Sequence, residues 1–108
     1  MSETVEVSRK VFEPISMLVR DGLFKDEKDA LKSLVLDQAA SKISHFDTLI
    51  EEMRAKYDMS FEEFEMRIES REGSESFDEW DDFIIWESYE SAREYWIGVE
   101  ASLKGAKV

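Results

Sequence analysis

Four pairs of adjacent carboxylates and one histidine are the residues of this chain that could act in catalysis or metal binding. The pairs are Glu51-Glu52, Glu62-Glu63, Asp78-Glu79 and Asp81-Asp82, and the histidine is His45. General acid–base catalysis requires carboxylates that converge in a cleft and differ in pKa. These pairs instead fall on the polar faces of expected helices, where the carboxylates are solvated. His45 has no cysteine and no second histidine with which to bind zinc.

The chain also lacks the short motifs that carry established chemistries. It contains no cysteine, no calcium-loop spacing, no nucleophile elbow, no phosphate-binding loop and no dinucleotide fingerprint. We therefore expect no enzymatic activity, no catalytic residue, no metal site and no cofactor. The absence of cysteine fits a reducing, cytoplasmic environment. No apolar run approaches the roughly 20 residues of a membrane span, and no signal peptide is visible, so we expect no membrane association.

Charge divides the chain into two parts. Residues 1–45 carry seven Lys/Arg and eight Asp/Glu, whereas residues 46–108 carry seven and eighteen, within a net charge of −12. Such an acidic second part argues against nucleic acid as its main partner. It favours a basic protein partner or, alternatively, a simple solvated surface.

The first part has a pattern of one strand followed by two helices. Residues 4–8 alternate, with Val5 and Val7 on one side, which predicts a half-buried strand. A first helix follows and ends at Gly22. Pro14 suits this helix if it begins near Glu13, but lies too deep if it begins at Arg9. Asp26 is a good cap for a second helix that runs to about residue 42. The apolar face of the second helix consists of Ala30, Leu31, Leu34, Val35, Ala39 and Ile43.

The second part has three further helical segments. The helical period continues through about residue 56, either as a separate helix or as a continuation of the second one. Asp58-Met59 breaks it, and Ser60 with Glu63 forms a capping box that starts the next helix. Residues 72–76 read as a linker. Residues 77–103 form a last helix that is rich in aromatic residues and apolar on more than one side, which is typical of a buried helix or of one that binds a partner.

A strand of this kind can pair with the strand of a second copy and enter the major groove of DNA. In such a ribbon the base-reading side chains would be Thr4, Glu6 and Ser8. Phosphate contacts would come from Arg9, Lys10, Lys25 and Lys28. The alternative is that the strand pairs with its copy and holds a dimer without contacting DNA. The residues expected at the dimer interface are Val5, Val7, Leu31, Leu34 and Val35.

Together these features resemble the ribbon-helix-helix family of dimeric repressors. The resemblance rests on the Val5-x-Val7-Ser8 strand, the glycine that ends the first helix and the capped second helix, and it covers about two fifths of the chain. It implies a mostly α fold with one N-terminal strand, in an intertwined homodimer of residues 1–45 that binds operator DNA.

The layout as a whole is similar to that of type II antitoxins, in which an N-terminal DNA-binding part precedes an acidic part that wraps a toxin, often a ribonuclease. The resemblance implies a cytoplasmic transcriptional repressor whose residues 46–108 bind the toxin. The expected partner-binding residues are Trp80, Phe83, Trp86, Tyr89 and Trp96, because aromatic residues are good interface anchors. Two alternatives stay open. These aromatics could form the core of a helical subdomain, and the protein could be a dimeric adaptor that binds protein partners but no DNA.

Overall fold

The computed structural model describes residues 6–70 and 77–105, and this part of the chain is helical. It contains four helices: α1 (Arg9–Arg20), α2 (Glu27–Tyr57), α3 (Phe61–Glu69) and α4 (Phe77–Lys104). The chain forms two compact units, an N-terminal unit of Met1–Gln38 and a C-terminal unit of Ala39–Val108. Helix α2 contributes to both. Within the described residues, no helix is long and apolar enough to span a bilayer.

The predicted ribbon-helix-helix fold is wrong. Among the described residues there is no strand, and Glu6, Val7 and Ser8 form an irregular segment before α1. Thr4 and Val5 lie outside the described residues. A strand requires a neighbour that satisfies its backbone hydrogen bonds, and no described segment supplies one. The carbonyl of Ser8 instead accepts from the backbone N–H groups of Val11 and Phe12, which starts the helix.

Helix α1 begins before Glu13, the start that would place Pro14 at the first helical position. It starts at Arg9, so Pro14 lies inside the helix and not at its first position. Because proline has no N–H, the carbonyl of Lys10 loses its helical partner. The predicted end of the helix is confirmed. Gly22 has a φ of +82°, its N–H donates to the carbonyl of Val19, and the next N–H, from Leu23, donates to Leu18.

Helix α2 is one continuous helix, which resolves the alternative that the sequence left open. Asp26 caps its start as predicted, since its Oδ1 accepts from the N–H of Asp29 at 2.7 Å. The helix ends at Tyr57, and the φ of the next residue, Asp58, is +54°, in the left-handed region. The Ser60 cap of α3 is also confirmed. Its Oγ accepts from the N–H of Glu63 at 3.2 Å.

The C-terminal unit has its own hydrophobic core, to which all three of its helices contribute. The buried side chains of this core are Ile50 from α2, Phe64 and Ile68 from α3, and Trp86 from α4. The predicted linker at residues 72–76 lies outside the described residues. The half-buried side chains packed around the core are Met53, Tyr57, Met59, Phe61, Phe83 and Tyr89.

Candidate protein-interaction surfaces

Trp86 is at the centre of the C-terminal core. Its side chain is 0% exposed. Its ring stacks on Phe64 with 5.4 Å between centroids and meets Phe61 edge-on at 5.5 Å. Its indole N–H donates to Oε1 of Glu90 at 3.2 Å, so the polar atom of this buried ring has a partner. Trp86 therefore holds the three helices together and has no surface to offer a partner while the unit is folded.

The other aromatic residues expected to bind a partner are divided between core and surface. Phe83 stacks on Phe61 at 5.7 Å and, with Tyr89, packs against the core. Trp96 is half-buried, whereas Trp80 is 45% exposed. Of the five, Trp80 is thus the one with a large accessible surface, whereas Phe83, Trp86 and Tyr89 support the fold.

A polar cluster fixes α4 against the end of α2. Asp82 of α4 accepts hydrogen bonds from the hydroxyl of Tyr57 and from the Nζ of Lys56, the latter at 2.6 Å. Burial alone would raise the pKa of Asp82, but these two hydrogen bonds and the charge of Lys56 outweigh it and lower the pKa. Burial, followed by the hydrogen bond to Asp82, raises the pKa of Tyr57 well above its usual value. At neutral pH the cluster therefore holds a neutral phenol against a charged carboxylate.

Two ion pairs also join α4 to α2 and α3. Arg93 donates to Asp47 of α2, and Nη2 of Arg67 on α3 lies 2.8 Å from Oε1 of Glu79. Each arginine is partly exposed, so these pairs contribute modestly to stability. Both pairs lie on the side of α4 that carries Trp86 into the core, so they agree with the orientation that the apolar packing gives this helix.

The opposite side of α4 carries a continuous uncharged surface, which we call the α4 strip. Its members recur every three or four residues and are exposed, with Phe77 at 89%, Ile84 at 53% and Tyr95 at 64%. Trp86 lies nine positions after Phe77, or about two and a half turns, which places it on the other side of the helix. The strip consists of Phe77, Trp80, Ile84, Ser88, Ser91, Tyr95, Gly98 and Ser102.

Carboxylates border the α4 strip. Asp78, Asp81, Glu87 and Glu94 are all exposed on α4 and lie at or beside its edges. The strip itself has no charge, although 37% of the residues in the chain are charged. Sequence reasoning missed Phe77, Ile84 and Tyr95. Their spacing was visible, but which side of α4 is buried depends on the packing of α2 and α3.

The N-terminal unit leaves most of its large apolar side chains uncovered. Four residues expected at a dimer interface, Val7, Leu31, Leu34 and Val35, are between 40% and 49% exposed. Val5 lies outside the described residues. Helix α1 contributes no buried residue. In the described part of this unit, Ala30 of α2 is buried. The apolar face of this unit therefore remains available to a partner.

Six of the residues expected to contact DNA lie in the described part of the chain, where they are exposed but form no ribbon. Arg9 and Lys10 begin α1, while Lys25 and Lys28 flank the start of α2. Glu6 and Ser8 precede α1, and Thr4 lies outside the described residues. The backbone N–H of Lys25 is directed to the carboxylate of Asp29 at 3.3 Å.

The acidic pairs and the histidine lie mainly on exposed helix faces in the described part of the chain. Of the paired carboxylates, Asp82 and Glu79 make the contacts between helices described above. His45 is exposed, with its ring edge-on to Phe46 at 5.1 Å. Within the described residues, no group of three or more His, Cys, Asp or Glu side chains could hold a metal ion.

Comparisons of the chain with protein-family models, with curated proteins and with solved structures found no match.

Proposed function

We propose that this chain is an antitoxin-type binding protein whose C-terminal unit binds and neutralises a basic protein toxin, such as a ribonuclease. One observation carries the proposal: the most exposed aromatic surface of the C-terminal unit is bordered by carboxylates. Residues 39–108 carry eight Lys/Arg and eighteen Asp/Glu. The partner that fits such a surface is a protein with an apolar contact area inside a positively charged rim.

The combination of charge and exposed apolar surface favours this function over a merely solvated surface. Acidic side chains alone keep a protein in solution and need no exposed aromatic residue beside them. Exposed residues such as Phe77 and Trp80 are the kind of side chain that anchors an interface. The surrounding carboxylates would accelerate encounter with a basic groove, such as the one with which a ribonuclease holds RNA.

The proposal includes assembly of two copies through the N-terminal unit. Residues 1–38 carry six Lys/Arg and eight Asp/Glu, so two such units repel each other far less than two C-terminal units would. Leu31, Leu34 and Val35 are exposed in the single chain and can be covered by a second copy. Sedimentation should show a dimer that the double variant Leu31→Glu/Leu34→Glu converts to a monomer. Met66→Glu, at an exposed apolar position of α3, is the matched control and should leave the dimer intact.

The direct test of the proposal is co-expression with the product of the adjacent gene. That product alone should inhibit growth, and the full-length chain should relieve the inhibition and co-purify with it. Replacing Asp78, Asp81, Glu87 and Glu94 by their amides should slow association at least several-fold, because the attraction to a basic partner is weaker. The matched control removes the same number of charges by replacing Glu62, Glu63, Glu65 and Glu69 of α3 with glutamine, and it should slow association less. The proposal fails if the neighbouring product neither binds nor inhibits growth.

Binding of operator DNA is the second candidate function. The observation that favours it is the exposure of Arg9, Lys10, Lys25 and Lys28 on the unit with the nearly balanced charge. A duplex from the chain's own promoter should then be shifted at low salt, with an affinity that falls steeply as salt rises. Absence of a shift by a well-folded protein leaves the function as an adaptor that binds proteins alone.

A further inference from the structure

We infer that the α4 strip is the docking site for an amphipathic helix of the basic partner, which lies along α4 with its own Lys and Arg residues at the borders. This inference rests on the proposed function, since it takes the partner from there. It adds the surface that is used, the form of the partner segment and the side of α4 to which that segment binds.

The shape of the strip suits a helix. From Phe77 to Ser102 the strip is about 37 Å long, at 1.5 Å per residue, and it is only one helix face wide. Its middle and far end carry the small residues Ser88, Ser91 and Gly98. Two helices approach each other more closely where the side chains between them are small. A long, narrow and shallow surface of this kind matches a second helix better than it matches a compact side-chain pocket.

The charges at the borders select the partner. Asp78 and Asp81 lie near the start of the strip, and Glu87 and Glu94 lie farther along it. A second copy of α4 would bring carboxylate against carboxylate, so this face does not suit self-association. A helix with Lys or Arg on either side of an apolar stripe would pair with these carboxylates while its apolar side chains cover Phe77, Trp80 and Ile84.

The strip differs from the solvent-exposed side of a neighbouring helix in the same unit. Helix α3 exposes Glu62, Glu63 and Glu69 around one large apolar side chain, Met66, and a single apolar residue among charges is normal for a surface that meets only water. Helix α4 instead has no charge within the strip and exposes several aromatic and aliphatic side chains there. This difference indicates a surface that is covered in the bound state.

Helix α4 is also held in place before binding. The Tyr57–Asp82 hydrogen bond and the Arg93–Asp47 ion pair fix its rotation at two separate points. A surface that is already ordered loses less conformational entropy on binding. The strip can therefore act as a preformed platform for the partner's helix.

Full-length variants, each co-expressed with the product of the adjacent gene and then titrated in purified form, test this inference. Ile84→Glu and Tyr95→Glu should each weaken the complex at least tenfold, because each buries an unpaired carboxylate under the docked helix. Gly98→Leu should also weaken it, by holding the two helices apart. A Cβ at Gly98 meets nothing within 4 Å, and leucine favours the helix more than glycine, so this variant should fold normally. Met66→Glu on α3 is the matched control, at an equally exposed apolar position, and should bind as the wild type does.

The outcomes separate this inference from the proposed function. Loss of binding in the three strip variants, with retention in Met66→Glu and unchanged circular dichroism, supports the inference. Wild-type affinity in Ile84→Glu and Tyr95→Glu overturns it while the proposed function stands. No binding by the wild-type chain overturns both.

Discussion

Replacing Trp86 by alanine should remove much of the stability of the C-terminal unit, because its ring occupies the centre of the core. The side chain is 0% exposed and contacts aromatic residues from α2 and α3. A fully buried tryptophan replaced by alanine costs about 3–5 kcal/mol, since both the transfer free energy and the cavity contribute. A unit of this size has a total stability of only about 3–10 kcal/mol. Trp86→Ala is therefore expected to remove about a third or more of the stability of the unit, and to unfold it if the total lies at the lower end of this range.

Trp80 supplies a matched control on the same helix. It is 45% exposed and stacks on Phe83 with 5.7 Å between centroids. Its replacement by alanine removes part of the buried area but leaves no enclosed cavity, so the expected cost is about 1–2 kcal/mol. Phe77→Ala, at a position that is 89% exposed, should change the free energy of unfolding by less than about 0.5 kcal/mol.

The assay is urea unfolding followed by circular dichroism at 222 nm. Trp86→Phe, which keeps an aromatic ring, should give an intermediate loss and a measurable transition even if the alanine variant has none. A cost below about 1 kcal/mol for Trp86→Ala, or equal costs for Trp86→Ala and Trp80→Ala, would refute the placement of Trp86 in the core. Trp86 would then regain its place as a partner-binding residue.

Three further predictions concern the polar cluster and the helix ends. The pKa of Asp82 is lowered in the folded state, so its contribution to stability is present above about pH 4 and is lost as pH falls through the lower folded value. Asp82→Asn should therefore make the free energy of unfolding, measured by urea titration, depend less on pH in the acid range. An unchanged acid dependence would contradict the lowered pKa of Asp82. The pKa of Tyr57 is raised in the folded state, so its contribution to stability is present below about pH 10 and is lost as pH rises further. Tyr57→Phe should cost about 1 kcal/mol of stability at pH 7 and should reduce the loss of stability at alkaline pH. Unaltered stability at pH 7 would argue against the hydrogen bond to Asp82. Asp26→Ala should destabilise α2 by about 1 kcal/mol, while Asp26→Asn, which keeps the capping oxygen, should not, as measured by thermal unfolding.

The helix ends and the helical character of the second part could be predicted because they depend on local chemistry. Gly22, Asp26, Ser60 and the Asp58-Met59 break act through hydrogen bonds or backbone angles within a few residues of themselves. The continuity of α2 through residue 57 was open, because an unbroken apolar period fits one long helix as well as two. The strand was the prediction that failed. Alternation over five residues is a local signal, but a strand needs a second, distant segment to pair with.

For the candidate interaction surfaces, the sequence by itself determined which residue types were available: an acidic half, rich in aromatic residues, and a nearly neutral half with apolar helices. It could not determine which aromatic residues face inward. Trp80 and Trp86 have the same chemistry and lie six residues apart on one helix. Packing against α2 and α3 buries Trp86, and the Tyr57–Asp82 and Arg93–Asp47 contacts fix that rotation. Only the tertiary structure decided this division, because a helix with apolar residues on several sides is oriented by its neighbours.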